Sequence, residues 1–450
     1  MMSFALTPVT PALYIMRQTA QLEKTPESDA GDSMMEIDDH GKKDFFKNAR
    51  TDIRGPLEGI RVLEVATTIA GPRFGAVFAK YGADVIRVEL SRAPDVTRMI
   101  PPMLPDTDPP EGYQHAMLHC DKRSITLDLR QPGARDVFLK IARTADVLVE
   151  NFKKGALPGW GCGYEDVRAV KPDIIYVSIT GFGQYGPYSD RAGYDPGIQA
   201  MSGLLWMNAA DDASTPTRVP VYISDELAGL HAAIGALAAL RYRELTGEGQ
   251  HLDVSLLDAT IDSCTGLHVM AAHGLATPRY GNIVPYAAPT NVYACKDGYV
   301  YAGVLLDSHW KILAKVMGKP EAAEDPRYTQ LLSRLGHREE VDKMLAEWCA
   351  VRTRDEIIAA LNDSKLPIAP VLTPQEACAD PHVQARGTIE RVQQPSGSEI
   401  KATAAPVKFS RTPVHYRQAP PTLGAHTDEV LESIGIDEAQ RAALREKNII

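Results

Sequence analysis

From residue 60 onward, apolar positions fall into short β-branched runs separated by stretches of helical period. Residues 60–66 (IRVLEVA) are too short and too apolar for a surface helix and predict a strand. Gly71-Pro72 then opens a helix, with proline suited to its first turn, and residues 84–88 (DVIRV) predict the next strand. Residues 124–129 predict another strand, 132–144 a helix, 146–149 a strand, and 173–179 (DIIYVSI) a strand buried on both faces. Repeated βαβ units of this kind imply an α/β protein whose parallel sheet carries helices on both faces. Beyond Gly193 the pattern turns helical, most of all over 226–246. A second, α+β unit begins near Thr290, with a strand at 299–304 and helices at 308–317 and 337–351. A Pro- and Gly-rich stretch, 395–424, leads to two short helices ending at Lys447.

The first 55 residues break the pattern. Met1, Met2, Met16, Met34 and Met35 are five of the 13 methionines, and 23–52 is dense in charge and thin in aliphatics, so a poorly ordered extension is expected. No basic region precedes its apolar run, Pro8 and Pro11 interrupt that run, and the segment is acidic and poor in Arg. Neither a secretory signal nor a transit peptide is indicated, and a cytoplasmic location follows by elimination. With 44% hydrophobic and 24% charged residues over 450 positions, disordered and fibrous classes are excluded. Lys and Arg number 48 against 58 Asp and Glu, a net charge of −10, so no diffuse basic field exists for nucleic acid and an anionic ligand needs a local cluster. The uncharged stretches 196–210 and 227–240 are shorter than the roughly 20 residues of a membrane span and read as buried core. Six cysteines without a CxxC pair indicate neither a disulfide framework nor a zinc knuckle.

GFGQYG, residues 181–186, fits G-x-G-x-x-G after a strand. Pro187, Tyr188 and Ser189 continue a loop where the dinucleotide fingerprint needs a helix, so a glycine loop beside a site is the better reading. No Walker lysine, HExxH, GxSxG or paired metal-ligand spacing occurs, and a metal site is not expected. Asp195, in GYDPGIQAMSG, has the form of an N-cap before Pro196, and Asp225, in VYISDELAGLHAAIGALAAL, opens the most apolar helix. Capping is the plain reading of both. The functional reading uses the same physics, because a helix N-terminus keeps a carboxylate ionised and offers N–H groups to a developing oxyanion. His231, on the same helix, is expected to be packed in the core. Arg87, Arg92, Lys122, Arg123, Arg130, Lys153 and Lys154 are the candidates for a phosphate-binding cluster, several of them following strands, where open α/β sheets bind ligands.

The segments PLEGIRVLEVATTIAGP, YGADVIRVE, KRSITLDLRQPG, ADVLVENFKKG, SITGFGQYGPYSDRAGYD, SDELAGLHAAIGALAALRYRELTGEGQ, ADPHVQARG and LGAHTDEVLESIGI, in that order, resemble the family III CoA-transferases. That group holds the formyl-CoA:oxalate and carnitine CoA-transferases and the related α-methylacyl-CoA racemases. The likeness runs from residue 56 to the C-terminus. It implies a Rossmann-like large domain over 56–250, completed by 385–450, with linker helices and a smaller α+β domain over 251–384. It further implies a ring-shaped chain threaded by its partner in an interlocked homodimer, or a heteromer with a homologous subunit. Coenzyme A and acyl-CoA are implied as substrates with a small carboxylic acid as acceptor, and no permanently bound cofactor, nucleic acid or membrane partner.

The family nucleophile is an aspartate just before a small-residue-rich helix, matched here by Asp225, while Asp195 matches a neighbouring acidic position. In the racemases the residue before that second acid is a histidine that moves the α-proton; Tyr194 stands there and favours transfer. The implied CoA contacts are Ile69, Ala70, Arg92, Leu127, Leu129, Arg130, Asn151, Phe152 and Lys153, with Tyr194 and Asp195 at the site. Two positions that are basic in formyl-CoA transferase are Leu90 and Gly159 here, with Arg92 as substitute for the first, and residues 280–285 (YGNIVP) stand where that enzyme covers its nucleophile with a glycine-rich run. The implied reaction moves CoA from a donor, succinyl-CoA by family habit, to an organic acid through aspartyl anhydride and aspartyl-CoA thioester intermediates. A racemase of the same fold and a non-catalytic subunit of a heteromeric transferase are the alternatives.

Overall fold

The computed structural model describes residues 41–104, 110–361, 364, 366–394 and 398–450. The extension expected over 1–55 lies outside the described residues as far as residue 40. From Gly41 the chain forms a one-turn helix, Lys42–Phe45, and the Arg50 N–H donates to Arg411 O at 2.8 Å. The chain divides into two compact units: one runs to Met201 and takes in Val221–Ser263 and Pro381–Ile450, and the other comprises Ser202–Pro220 and Cys264–Asp380.

The first unit is built on six parallel strands, β1 (Arg61–Val65), β2 (Asp84–Glu89), β3 (Lys122–Thr126), β4 (Val147–Glu150), β5 (Ile175–Thr180) and β6 (Gln250–Ser255), in the order 3-2-1-4-5-6. This is the Rossmann order, and its topological switch point lies between β1 and β4, where ligands enter such sheets. The central strands carry buried apolar runs because both faces are covered, with Glu64, Arg87 and Glu150 buried among them. Leu63, Val65, Ile86, Leu148 and Tyr176 pack with Phe138 and Ile141 of helix α2 (Ala134–Ala142), Val167 of α3 (Tyr164–Val170) and the C-terminal Leu431 and Ile449. Their neighbours Val62, Val147, Val149 and Val177 point the other way, against Phe74 and Phe78 of α1 (Ala70–Lys80) and the alanine-lined face of α5 (Ile223–Thr246). Between these helices in sequence lies α4 (Asp195–Met201), and α6 (Leu256–Asp262) follows β6.

The alanines let α5 approach closely. At Gly229 even a methyl group would lie 2.7 Å from Ala70 O and 2.8 Å from Arg73 Cβ, so only glycine fits where α5 crosses the start of α1. The opposite side of α5 leaves Ile234, Leu237, Tyr242 and Leu245 exposed, so the stretch 227–240 is core on one side only. For the same reason His231 is not packed in the core: it is half-exposed, with Nε2 4.0 Å from the Asp262 carboxylate on α6. By length and composition α5 is also apolar enough to cross a membrane, although its alanine face is packed against the sheet and α1.

Two strands of this parallel sheet differ from the sequence expectation. β3 begins at Lys122 and ends at Thr126, while Leu127 and Leu129 leave the ladder and enter the core beside α2. β6 was not foreseen. As an edge strand it needs only alternation, Leu252 and Val254 against His251 and Asp253, which a search for apolar runs passes over.

The second unit carries an antiparallel sheet of β7 (Thr290–Cys295), β8 (Gly298–Gly303) and β9 (Ile368–Pro370), packed with α7 (Asp307–Val316) and α8 (Arg338–Ala350) around Trp310, Leu313, Val341 and Leu345. Within it, residues 280–285 lead into a turn held by Arg338, whose Nη2 donates to Val284 O at 2.8 Å and to Ala287 O at 2.6 Å. Arg279 lies 3.6 Å above the Trp206 ring and donates to Asp211 O at 3.3 Å, tying residues 202–220 to this unit.

Candidate active site

Asp225 and Asp195 meet at the start of α5. Asp195 is the first residue of α4, and its buried carboxylate does not cap its own helix alone. Oδ1 accepts the Ser224 N–H at 2.9 Å, satisfying a first-turn donor of α5, and Oδ2 accepts Gln199 Nε2 at 2.8 Å, one turn along α4. Gln199 also reaches Val221 O at 3.3 Å. The Ser224 donor of α5 is thus met by Asp195, not by Asp225. Asp225 stands as the third residue of α5, with Tyr222 in the cap position, and is partly exposed.

The expectation that the helix N-terminus keeps Asp225 ionised is corrected by its surroundings. Burial, with Asp195 and then Glu226 as like charges, pushes its carboxyl up to about 7, and the backbone N–H of Ala70 only partly opposes them. Glu226 is itself paired with Arg73 of α1 at 2.8 Å. The carboxyl thus sits at the starts of two helices, in reach of amide donors, yet holds its proton more tightly than an ordinary carboxyl.

The positions implied as CoA contacts are found in different states, and of them Ala70 and Asp195 are the ones in contact with or facing Asp225. Ile69, Ala70, Leu127 and Leu129 are buried, and the Leu127 N–H is already given to Glu89 O at 2.9 Å. Asn151 binds the loop after β1: its Oδ1 accepts the Thr67 N–H and its Nδ2 donates to Thr67 O, both at 2.8 Å. Phe152 packs edge-on against Trp160 with ring centroids 5.5 Å apart. Lys153 and Tyr194 are exposed, Tyr194 by 75%. Arg130 makes a two-point pair with Asp128, both contacts at 2.8 Å, and Arg92 Nη2 donates to Asn448 Oδ1 at the C-terminus.

The seven basic candidates do not form one cluster. Arg87 is buried and held by Asp95, Lys122 Nζ is buried on Glu64 Oε2 at 2.6 Å and Pro72 O at 2.9 Å, and Arg123 pairs with Asp84 at 2.6 Å. Lys154 donates to Ser189 Oγ at 2.9 Å. Parallel neighbours bring Glu64 and Asp84 beside these cations, a match across strands that linear spacing does not reveal, and Asp95 returns to Arg87 from the loop after β2. Lys153, Arg92 and Arg130 remain as cations at the surface.

Sequence reading also missed a cavity of about 280 Å³ whose lining includes Glu150, Lys153, Tyr164, Ser178 and His251. It does not include Asp225. Glu150 is buried at the end of β4, accepts the Phe152 N–H at 2.8 Å, and is pushed up to about 7 by that burial. Ser178 Oγ and His251 Nε2 lie 2.9 Å apart. GFGQYG is a loop, with the next helix only at Asp195. Its Gly183 N–H donates to Thr180 Oγ1 and its Gln184 N–H to Asp253 Oδ2, each at 2.9 Å. A methyl group on Gly181 would lie 2.5 Å from Gly193 Cα, so this backbone contact closes the loop just before Tyr194 and Asp195. Among the described residues no group of His, Cys, Asp and Glu is arranged to hold a metal ion.

Comparison with known proteins agrees with this architecture. Residues 57–427 match the model of CoA-transferase family III. The chain is 35% identical to the succinate–glutarate CoA-transferase of Agrobacterium fabrum over 384 residues, covering 84% of this chain and 96% of that one. It is 34% identical to the succinyl-CoA–D-citramalate CoA-transferase of Chloroflexus aurantiacus, with 88% and 98% covered, and 33% identical to the formyl-CoA:oxalate CoA-transferase of Streptomyces avermitilis, with 88% and 99% covered. Among solved structures, a CAIB/BAIF family protein from Brucella suis superposes with a TM-score of 0.76 at 33% identity, over 85% of this chain and all (100%) of that one.

Proposed function

The chain belongs to CoA-transferase family III, and from that premise we propose that it moves CoA from succinyl-CoA to a second carboxylic acid with Asp225 as nucleophile. The observation that carries the reading is the placement of Asp225: one residue past the donor capped by Asp195, with its carboxylate turned to the Ala70 N–H at the first turn of α1. Succinyl-CoA as donor and a dicarboxylate as acceptor are supported by the names of the relatives from Agrobacterium and Chloroflexus.

In this mechanism an Asp225 oxygen attacks the thioester carbonyl carbon, the C–S bond breaks, and an acyl-aspartyl anhydride forms with release of CoA thiolate. The thiolate attacks the aspartyl carbonyl, freeing the donor as its carboxylate and leaving an aspartyl-CoA thioester. The acceptor carboxylate attacks that thioester, and the returning thiolate attacks the acceptor's carbonyl in the second anhydride, which regenerates Asp225. One thioester replaces another, so ATP is not needed. A carboxylate is a weak nucleophile and an anhydride hydrolyses readily, so the amides of two helix starts and the exclusion of water are what the site has to supply.

The partner is a second copy of the chain in an interlocked dimer, supported by the family resemblance and by the apolar residues α5 leaves exposed. The test is incubation with succinyl-CoA and glutarate without ATP. Glutaryl-CoA and succinate in equal amounts support the reading. Solvent deuterium entering an acyl-CoA α-carbon without CoA exchange contradicts it and favours a racemase, against which Tyr194 argues.

A further inference from the structure

The loop joining β1 to α1 is held from two sides at the switch point of the sheet. Thr68 adopts a left-handed conformation, φ 60°, which is strained for a β-branched residue and persists only where the surroundings impose it. Its N–H donates to Asp95 Oδ2 at 2.8 Å. The Asp95 side chain is fully buried, is paired with Arg87, and accepts the Thr97 N–H at 2.9 Å and Thr97 Oγ1 at 2.8 Å, so its position is fixed. On the other side Asn151, just past β4, binds both the N–H and the carbonyl of Thr67. β1 and β4 are adjacent in register up to Val65 and Glu150, so the side chain following one strand clamps the backbone following the other.

What the clamp positions is the start of α1. Two residues beyond Thr68, Ala70 opens that helix, and Ala70 O and Arg73 lie against Gly229, one turn after Asp225 on the same face of α5. We propose that Asp95 and Asn151 are positioning residues that hold Thr67 and Thr68, and through them the first turn of α1, against the carboxylate of Asp225. Asn151 then acts by shaping the loop, where the family resemblance makes it a contact of CoA. The idea rests on the reading of Asp225 as nucleophile.

The test compares the full-length Asn151→Ala and Asp95→Asn variants, each checked for cooperative unfolding, by kcat, by KM for acyl-CoA and by the pH profile of CoA exchange. Because a small misplacement of a reacting group is enough to slow chemistry, kcat is expected to fall about 10- to 100-fold in both, with KM changed by less than about twofold. The groups facing Asp225 are Asp195 from α4, Glu226 on α5 and Arg73 from α1, none of which is altered, so loss of the Ala70 amide should move the acid limb upward by about 0.5 to 1 pH unit. Thr68→Gly, which removes the strain, should restore part of kcat in the Asp95→Asn background. A raised KM with unchanged kcat and acid limb in Asn151→Ala overturns the proposal and makes Asn151 a ligand contact. If Asp95→Asn does not fold, Asn151→Ala decides the matter alone. Asp225→Asn is run in parallel: if it stays active the nucleophile reading fails, whereas if it is inactive and both clamp variants behave as wild type, only the clamp is wrong.

Discussion

Asp195 Oδ1 accepts the N–H of Ser224 at 2.9 Å, so the acid that caps α5 belongs to a different helix, and the Asp225 carboxylate is turned instead to the Ala70 N–H at the start of α1. The same arrangement brings a second negative charge close to Asp225 and raises its affinity for a proton.

Asp195→Asn separates these two effects. An asparagine oxygen still caps Ser224, while the charge is gone, so Asp225 should ionise more easily and the acid limb of kcat/KM should move below pH 7. Asp195→Ala should in addition lose the cap, a loss of about 1 kcal/mol. Equilibrium unfolding read beside the pH profile tells the two variants apart.

The raised proton affinity of Asp225 also makes a stability prediction. A carboxyl near 7 in the folded state and near 3.8 when unfolded binds its proton more tightly when folded, so its effect on stability becomes unfavourable as pH rises from about 4 to 7 and stays so above. Asp225→Asn should accordingly unfold like the wild type at pH 4 and be more stable at pH 8, by roughly 2 kcal/mol once partial solvent access is allowed for. Equal stability at both pH values would show that Asp225 is not strained by its neighbours.

Gly229→Ala tests the crossing of α1 and α5. The new methyl group would lie 2.7 Å from Ala70 O, so the helices must part, with an expected loss of about 1–3 kcal/mol in a denaturant titration. Because Asp225 lies one turn earlier on the same face, kcat should fall as well.

The parallel sheet was legible because buried parallel strands announce themselves as apolar runs: IRVLEVA, DVIRV and DIIYVSI all became strands of the sheet, while their order is seen only in the structure. β6 escaped because an edge strand alternates instead. The positions of Asp225 and Asp195 were legible as helix starts, but not that Asp195 caps α5 from α4, since that bond joins residues 29 positions apart. The charged residues were the hardest to read. Nothing in a linear string shows that Arg87 faces Asp95 or that Lys122 faces Glu64, and these cations proved to be buried partners of the sheet.

The exposed apolar face of α5 predicts association. Sedimentation should give twice the chain mass of 49.1 kDa, and Ile234→Asp should weaken that species. A monomer at micromolar concentration would contradict the interlocked dimer.

The most direct test of the central claim is to trap the enzyme during turnover of succinyl-CoA with hydroxylamine and locate the modified residue by mass spectrometry. The mechanism predicts a hydroxamate at Asp225, absent when acyl-CoA is omitted and absent in Asp225→Asn, which should also lose CoA exchange. Full exchange activity in Asp225→Asn, with no adduct at position 225 in the wild type, would contradict it.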